Sequence, residues 1–463
     1  MPTITRLPYL ADVARRFAVL AGEPWAGWLD SGHPEGGGRY DICVADPFAR
    51  LVTRGSATEL TNAEGSTITS VRDPLGWLRE LLGPPLGART PPFAGGALGY
   101  FGYDLGRRFE GLAPRPAADA WPEMAVGLYD WALVTDHVAR RTWLVSAGRD
   151  PRGNEPWRRW LAPLQEPPPC AHAVPPRLLG CVASNLARAD YEQAFARLQR
   201  YIHDGDCYQA NFAQRFSARI CGEPWAAYRR LRGLSPTPYS AYLNYPFGQV
   251  LSASPEQFLT LEGGSVVTRP IKGTRPRGAS RAADEALATE LRLSAKERAE
   301  NLMIVDLLRN DLGKSCRPGS VRVPRLFALE TFASVHHLVS EVTGELREGL
   351  HALDLLHGCF PGGSITGAPK RRAMQIIDEL EPDRREVYCG TIGCLGFDGT
   401  MRTNIAIRTA LWRDDRLSYW AGGGIVADSD VAAEYRETLV KADAFFRLLG
   451  VRSGMHGPML ASL

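Results

Sequence analysis

Lys272 lies in Arg269-Pro270-Ile271-Lys272-Gly273-Thr274-Arg275-Pro276-Arg277-Gly278. The apolar Val266-Val267 ahead of it predicts a strand, and the Pro, Gly, Thr and Arg residues that follow predict a turn. One long amine then sits at a strand end among Arg269, Arg275, Arg277 and Arg281. An ammonium crowded by other cations loses its proton more easily, which is what a nucleophilic lysine needs. The plainer alternative is a lysine in a basic surface turn, so the question is whether other residues build a site around it.

Two glutamate pairs supply the first part of such a site. Ser294-Ala295-Lys296-Glu297 opens a predicted helix that continues through Glu300, Ile304 and Leu307. Ser294 with Glu297 fits a capping box, a structural role for that glutamate. Glu300 lies one turn further on the same face, beside the apolar Leu302-Met303-Ile304-Val305, and a buried carboxylate needs a cation or hydrogen bonds. The second pair, Glu434 and Glu437, has the same spacing on a helix predicted to start at Asp428-Ser429-Asp430, with Lys441 one turn beyond. An exposed Glu437–Lys441 ion pair is the modest reading of that helix, at roughly 0.3–0.5 kcal/mol. Just upstream, Trp420-Ala421-Gly422-Gly423-Gly424-Ile425-Val426 reads as a strand ending in glycines, whose bare N–H groups can cradle an anion. Two glutamate pairs on separate helices suit Mg²⁺, a hard ion that takes oxygen ligands and keeps several waters. An anion cradle beside such an ion implies a substrate carrying carboxylate or phosphate. Arg408 adds a planar fork for a carboxylate, on a predicted strand face shared by Arg402, Asn404 and Ala406.

The elements that must position these groups are mixed. Tyr40 to Val44 and Trp131 to Val134 read as strands, and Asp190 to His203 reads as a helix with Tyr191, Phe195, Leu198 and Ile202 on one face. Met401 to Trp412 alternates and turns through Asp414-Asp415 into Leu417 to Trp420, a hairpin. At least part of the sheet is therefore antiparallel, and without steady strand–helix alternation the class is α+β. Pro163, Pro167, Pro168, Pro169, Pro175 and Pro176 mark an extended connector.

The 463 residues suffice for one large domain or two to three ordinary ones. A net charge of +3, with arginines interspersed among acids, gives no case for nucleic acid. No apolar run reaches the length of a membrane span and no signal core precedes it, so a cytoplasmic protein is expected. The nine cysteines are scattered without a zinc-type spacing and are expected to be reduced thiols.

Pro270-Ile271-Lys272-Gly273-Thr274, Glu300 to Leu307, Arg309-Asn310-Asp311-Leu312, Gly367-Ala368-Pro369-Lys370 and Gly422-Gly423-Gly424-Ile425, in that order, resemble the chorismate-utilising enzymes. Gly205-Asp206-Cys207-Tyr208-Gln209 and Ser254-Pro255-Glu256 extend the likeness over residues 185–450. Leu29-Asp30-Ser31-Gly32 and Tyr40 to Pro47 resemble the aminodeoxychorismate synthase component I branch in particular. The resemblance implies an α+β fold with a large mixed or antiparallel β-sandwich core and surrounding helices. It implies an anthranilate-synthase-like region over 1–178 and a chorismate-binding region over 179–453, the two intertwined.

Two positions separate activities within the family. The lysine of the Pro-Ile-x-Gly-Thr motif, here Lys272, resembles the aminodeoxychorismate synthases, where anthranilate synthases carry alanine. Isochorismate and salicylate synthases activate water with a lysine where this chain has Gln209, and an amide cannot serve as that base. The implied reaction is amination of chorismate at C4 by ammonia, giving 4-amino-4-deoxychorismate on the way to 4-aminobenzoate and folate. In it Mg²⁺, held by Glu300 and Glu437 with Glu297 and Glu434 in support, binds the ring carboxylate. Lys272 attacks C2 as the C4 hydroxyl leaves, ammonia adds at C4 and expels the lysine, and Glu256 handles the protons. Tyr388, Arg408, Gly424 and Lys441 match carboxylate-binding positions, while His337 and Ser364 match further active-site positions. His337 as a strand histidine and Tyr388 as ordinary core are the plain alternatives. No amidotransferase-sized segment accompanies residues 1–450, so a separate glutamine amidotransferase subunit is expected to supply ammonia. Ser31, Arg39, Tyr40, Pro238 and Tyr239 resemble the lining of a tryptophan pocket, but Glu35-Gly36-Gly37-Gly38 departs from the family pattern and counts against tryptophan. An anthranilate or isochorismate synthase, and a non-catalytic regulatory binder on the same fold, are the competing readings.

Overall fold

The computed structural model describes residues 3–87, 91–115, 120–153, 155–167, 174–332, 335–451 and 460–462. Two large sheets face each other. The first runs, in spatial order, through Thr3–Leu7, Arg141–Ser146, Trp131–Asp136, Tyr40–Val44, Ala26–Asp30, Ser240–Tyr245, Gly248–Ser252, Thr409–Arg413, Arg416–Ile425, Gln209–Cys221, Arg177–Ser184 and Leu460–Ser462. The second runs through Ile271–Pro276, Val335–Glu345, Ser265–Arg269, Gln257–Glu262, Met401–Asn404, Thr391–Gly396, Gly96–Phe101, Met124–Tyr129, Ala49–Arg54, Ala57–Asn62 and Thr67–Ser70. Strands from both sides of residue 178 enter each sheet. Pairing is antiparallel except between Arg177–Ser184 and Leu460–Ser462. This is the α+β sandwich expected from the motifs.

Side-chain alternation explains why the first sheet is covered twice. Along Tyr40–Val44, Ile42 and Val44 join the core between the sheets, while Cys43 joins a second core with Trp28, Trp131 and Tyr242. Helices close that outer face through Phe17, Tyr228, Leu231, Phe445 and Phe446. A third cluster, with Tyr191, Phe195 and Leu198 from the helix Arg188–His203, covers the Gln209 end. A sheet buried on both faces carries apolar residues at consecutive positions, as these strands do.

Several expectations need correction. Met401 to Trp412 is not one strand: Met401–Asn404 belongs to the second sheet and Thr409–Arg413 to the first. Residues 405–408 cross between them, held by Ile405 N–H to Glu256 O and Ala253 N–H to Arg408 O, both 3.0 Å. The predicted hairpin survives only as Thr409–Arg413 with Arg416–Ile425. Pro163 lies inside the helix Glu155–Gln165, not in a connector, and Pro168 and Pro169 fall outside the described residues. Leu302 faces solvent although Ile304 and Val305 are buried. The eight described cysteines are free thiols.

Candidate active site

Lys272 is not in a turn. Ile271–Pro276 is itself a strand, paired with Val335–Glu345 so that Lys272 opposes Leu338. Pro270 ends the preceding strand because it has no N–H to give the ladder. The register shifts at Gly273, whose φ of +78° suits glycine and whose Cβ would stand 2.7 Å from Leu291. The arginines expected to crowd the lysine are each paired with an acid, and Arg275 also reaches Glu297 of the cluster at 3.5 Å. Arg269 pairs with Glu330, Arg275 with Glu290, Arg277 with Asp284 and Arg281 with Glu285. The nearest acid to Lys272 is Glu300, Nζ to Oε2 4.0 Å.

The glutamates converge from two helices. Ser294 caps Ala295–Gly313 by accepting from Glu297 N–H, and Asp430 caps Val431–Lys441 by accepting from Ala433 N–H. Glu300 is half-buried between Lys272 and Lys296, 3.9 Å away. Burial pushes its carboxyl up, and the neighbouring Glu297 and Glu437 charges push the same way. Burial also raises Glu434, with Glu437 adding to it, although Ser429 Oγ donates to Glu434 Oε1 at 2.7 Å. Burial acts upward on Glu437 too, but Lys441, Lys272 and Lys296 together hold it below the usual range. Lys441 Nζ sits 2.7 Å from Glu437 Oε1 and donates to Gly422 O at 2.8 Å.

The glycine run closes the strand Arg416–Ile425, as expected, but its residues are laddered on one side rather than bare. Gly422, Gly423 and Gly424 pair with Ala213, Phe212 and Asn211. Pairing to Thr409–Arg413 stops at Tyr419, so the other edge of the glycine stretch has no partner strand among the described residues. What the glycines provide is space. A Cβ on Gly424 would lie 2.5 Å from Gln209 Nε2 and 3.5 Å from Lys272 Nζ, and one on Gly423 would lie 3.0 Å from Glu434 Oε2.

Glu256 is buried, and Ser364 Oγ donates to its Oε1 at 2.8 Å. Burial lifts its carboxyl to about 7, against the opposing pull of Ser364, Lys272 and Lys441. His337 opposes Thr274 across the strand pair and shares a 2.9 Å hydrogen bond with its hydroxyl. Burial, then Arg408, lowers the imidazole to about 4, so it is neutral near pH 7. Arg408 holds φ at +50° in the crossing segment, and its guanidinium has no ion-pair or hydrogen-bond partner among the described residues. It does not share a strand face with Arg402 and Asn404, which line a different cavity. Tyr388 is buried with its ring stacked on Trp420. Gln209 is fully buried, and neither amide atom has a hydrogen-bond partner.

Lys272, Glu256, Gln209, Ser364, Lys441 and the four glutamates are thus one site at the junction of the sheets, with His337, Arg408 and Tyr388 in its walls. Thr274, Ser429 and Lys296 were missed. Thr274 was legible within the lysine motif, whereas Ser429 and Lys296 carry no signal until the helices are packed.

The donor set suits Mg²⁺ in part. The oxygens are hard, and a glycine leaves room before Glu434 and Glu437. Among the described residues no three acids stand close enough to enclose an ion. That arrangement fits an ion held through one or two carboxylates and several waters.

Arg39, Tyr40, Pro238 and Tyr239 line a separate cavity of about 670 Å³. Ser31 does not line it; it lies beneath, its N–H donating to Asp41 Oδ1 at 2.7 Å. The glycine run there is close packing: a Cβ on Gly38 would meet that of Ser31 at 2.8 Å.

A family model described as chorismate binding enzyme matches residues 34–447. The chain belongs to this family. Among relatives of this chorismate-binding enzyme, aminodeoxychorismate synthase component 1 of Klebsiella aerogenes is 49% identical, covering 97% of this chain and 99% of its own. The Escherichia coli protein of that name is 46% identical, covering 97% and 98%. The crystal structure of anthranilate synthase component I from Streptococcus pneumoniae superposes with a TM-score of 0.78 at 33% identity, covering 88% and 92% of the two chains. The menaquinone-specific isochorismate synthase of Escherichia coli shares the fold, at a TM-score of 0.73 and 17% identity. No described helix of this chorismate-binding enzyme is long and apolar enough to cross a membrane.

Proposed function

We propose that the protein aminates chorismate at C4 to give 4-amino-4-deoxychorismate, as component I of an aminodeoxychorismate synthase. The observation that carries this reading is Lys272 beside Gln209. The Lys272 amine and the Gln209 amide both lie against Gly424, and that amide cannot activate water. The relatives named aminodeoxychorismate synthase component 1, matched along almost their whole length, support it.

Arg408, His337 and Lys441 anchor the substrate carboxylates, and Tyr388 with Trp420 backs the glycine strand. Glu300 and Glu437, with Glu297 and Glu434, would hold Mg²⁺. Held there, the ion would neutralise charge on the ring carboxylate and so favour departure of the C4 oxygen. The Lys272 amine attacks C2, the ring double bonds shift, and the C4–O bond breaks. Glu256, protonated about half the time near pH 7, gives its proton to the departing oxygen, which leaves as water. Ammonia then bonds to C4 as the C2–N bond to Lys272 breaks and frees the lysine amine, and the extra proton on the new C4 nitrogen passes to Glu256, restoring its acid form. The ammonia comes from a separate glutamine amidotransferase subunit, consistent with the component 1 names of the relatives.

The test is incubation with chorismate, Mg²⁺ and ammonium, with products separated by chromatography. 4-Amino-4-deoxychorismate is the expected product. Anthranilate, isochorismate or no turnover would overturn the reading.

A further inference from the structure

Lys296 stands in the first turn of Ala295–Gly313, where the helix dipole favours acids, and it precedes Glu300 in the weaker order for an i,i+4 pair. Helix stability therefore gives no reason for a lysine there. Its ammonium stands 3.9 Å from Glu300 Oε1, and its field also favours the charged forms of Glu434 and Glu437 on the second helix. The other two ammonium groups at this cluster have defined places: Lys441 is held by Gly422 O and Glu437, and Lys272 projects from a strand. Lys296 differs. It is 60% exposed, and its ammonium makes no hydrogen bond to another described residue. It is a cation on a four-carbon tether, reaching the carboxylates from the solvent side.

We propose that Lys296 is a tethered counter-ion that competes with the divalent cation for the glutamate cluster. It rests on the reading of Glu297, Glu300, Glu434 and Glu437 as the cation's ligands. Without the divalent ion, Lys296 offsets the repulsion among half-buried carboxylates. When the ion arrives, two cations cannot share the same oxygens, and the flexible, solvated lysine is the one that swings away. The residue thereby sets how much free divalent ion the enzyme needs.

The experiment is a titration of substrate-free protein with Mn²⁺, reading free Mn²⁺ by electron paramagnetic resonance at low and high salt. K296Q is expected to bind roughly three- to tenfold tighter than the unaltered protein at low salt, with the gap narrowing as salt screens the pair. K296R should stay close to the unaltered protein. R292Q removes an exposed charge from the preceding helix, and it too should leave the affinity alone. E300Q should weaken binding. Equal or weaker Mn²⁺ affinity in K296Q, with E300Q still defective, would overturn the role of Lys296 while leaving the metal site standing. Equal tightening in R292Q would reduce the effect to net charge and also overturn it. Saturable binding unaffected by E300Q, or none at all, would remove the metal site and this inference with it.

Discussion

Gly424 and Gln209 face each other so closely that a single methyl on the glycine would lie 2.5 Å from the Gln209 amide nitrogen. Neither atom of the amide has a hydrogen-bond partner among the described residues, so its position is set by packing against bare backbone. Gly424→Ala is expected to push Gln209 and Lys272 out of place and cut turnover by about 10²-fold or more, because small misplacements at reacting groups are costly. Far-UV circular dichroism should be unchanged; a variant with normal kcat/KM would mean the close approach does not position the site.

Lys272→Ala removes the nucleophile and leaves the strand. Acid-quenched unaltered protein, mixed with chorismate and Mg²⁺ without ammonia, should gain the mass of chorismate less water. The variant should gain nothing, and its ammonia-dependent rate should fall by roughly 10²–10⁴-fold. Normal adduct or normal rate would end the covalent assignment.

Glu256 sits near 7 because it is buried. Its acid form is lost as pH rises through that value, so the first half-reaction should slow above about pH 7. Glu256→Gln should be slower by roughly 10²–10⁴-fold, with that limb gone. Stability carries the same signature. The folded carboxyl binds its proton more tightly than the unfolded one, whose value is 4.5. Stability therefore falls as pH rises from about 4.5 to 7, and the cost is complete above that. Relative to the unaltered protein, the glutamine variant should gain up to roughly 3 kcal/mol across that window in urea melts.

Ser364 donates to Glu256 and holds its carboxyl down. In Ser364→Ala the basic limb of the rate profile should move to higher pH, and Ser364→Thr should restore it. An unmoved limb would show that this hydrogen bond does not tune the acid.

Lys370 is buried and donates to Asp311 Oδ2 and to Cys359 O, both at 2.9 Å. Lys370→Met leaves Asp311 with only the half-exposed Lys314. The variant should lose about 3 kcal/mol, seen as a lower urea midpoint at unchanged slope.

The chemistry was legible in the chain because it is carried by short contiguous motifs. Lys272 with Thr274, the i,i+3 pairs Glu297–Glu300 and Glu434–Glu437, and their caps Ser294 and Asp430 are local patterns, fixed by helix pitch and strand repeat before any long-range contact forms. The short run Tyr40–Val44 likewise marked a strand without saying which sheet it joins. The errors came where a local pattern has two tertiary solutions. Pro270 with Gly273 reads as a turn but is a strand break and a bulge, because Val335–Glu345 is there to pair with Ile271–Pro276. Three glycines read as a strand end with bare N–H groups, but Gln209–Cys221 pairs along one edge of them. Met401 to Trp412 alternates throughout, yet it changes sheets at residues 405–408 and turns Arg408 toward His337.

The sequence by itself determined which residues can do chemistry, the family to which they belong and the α+β class. Only the tertiary structure decided their neighbours. It gave Glu300 as the nearest acid to Lys272, and set Lys296 within electrostatic reach of carboxylates on another helix. The physical reason is distance along the chain: charge coupling and burial act through space between segments from about thirty to more than a hundred residues apart, and no local periodicity records which segments will meet.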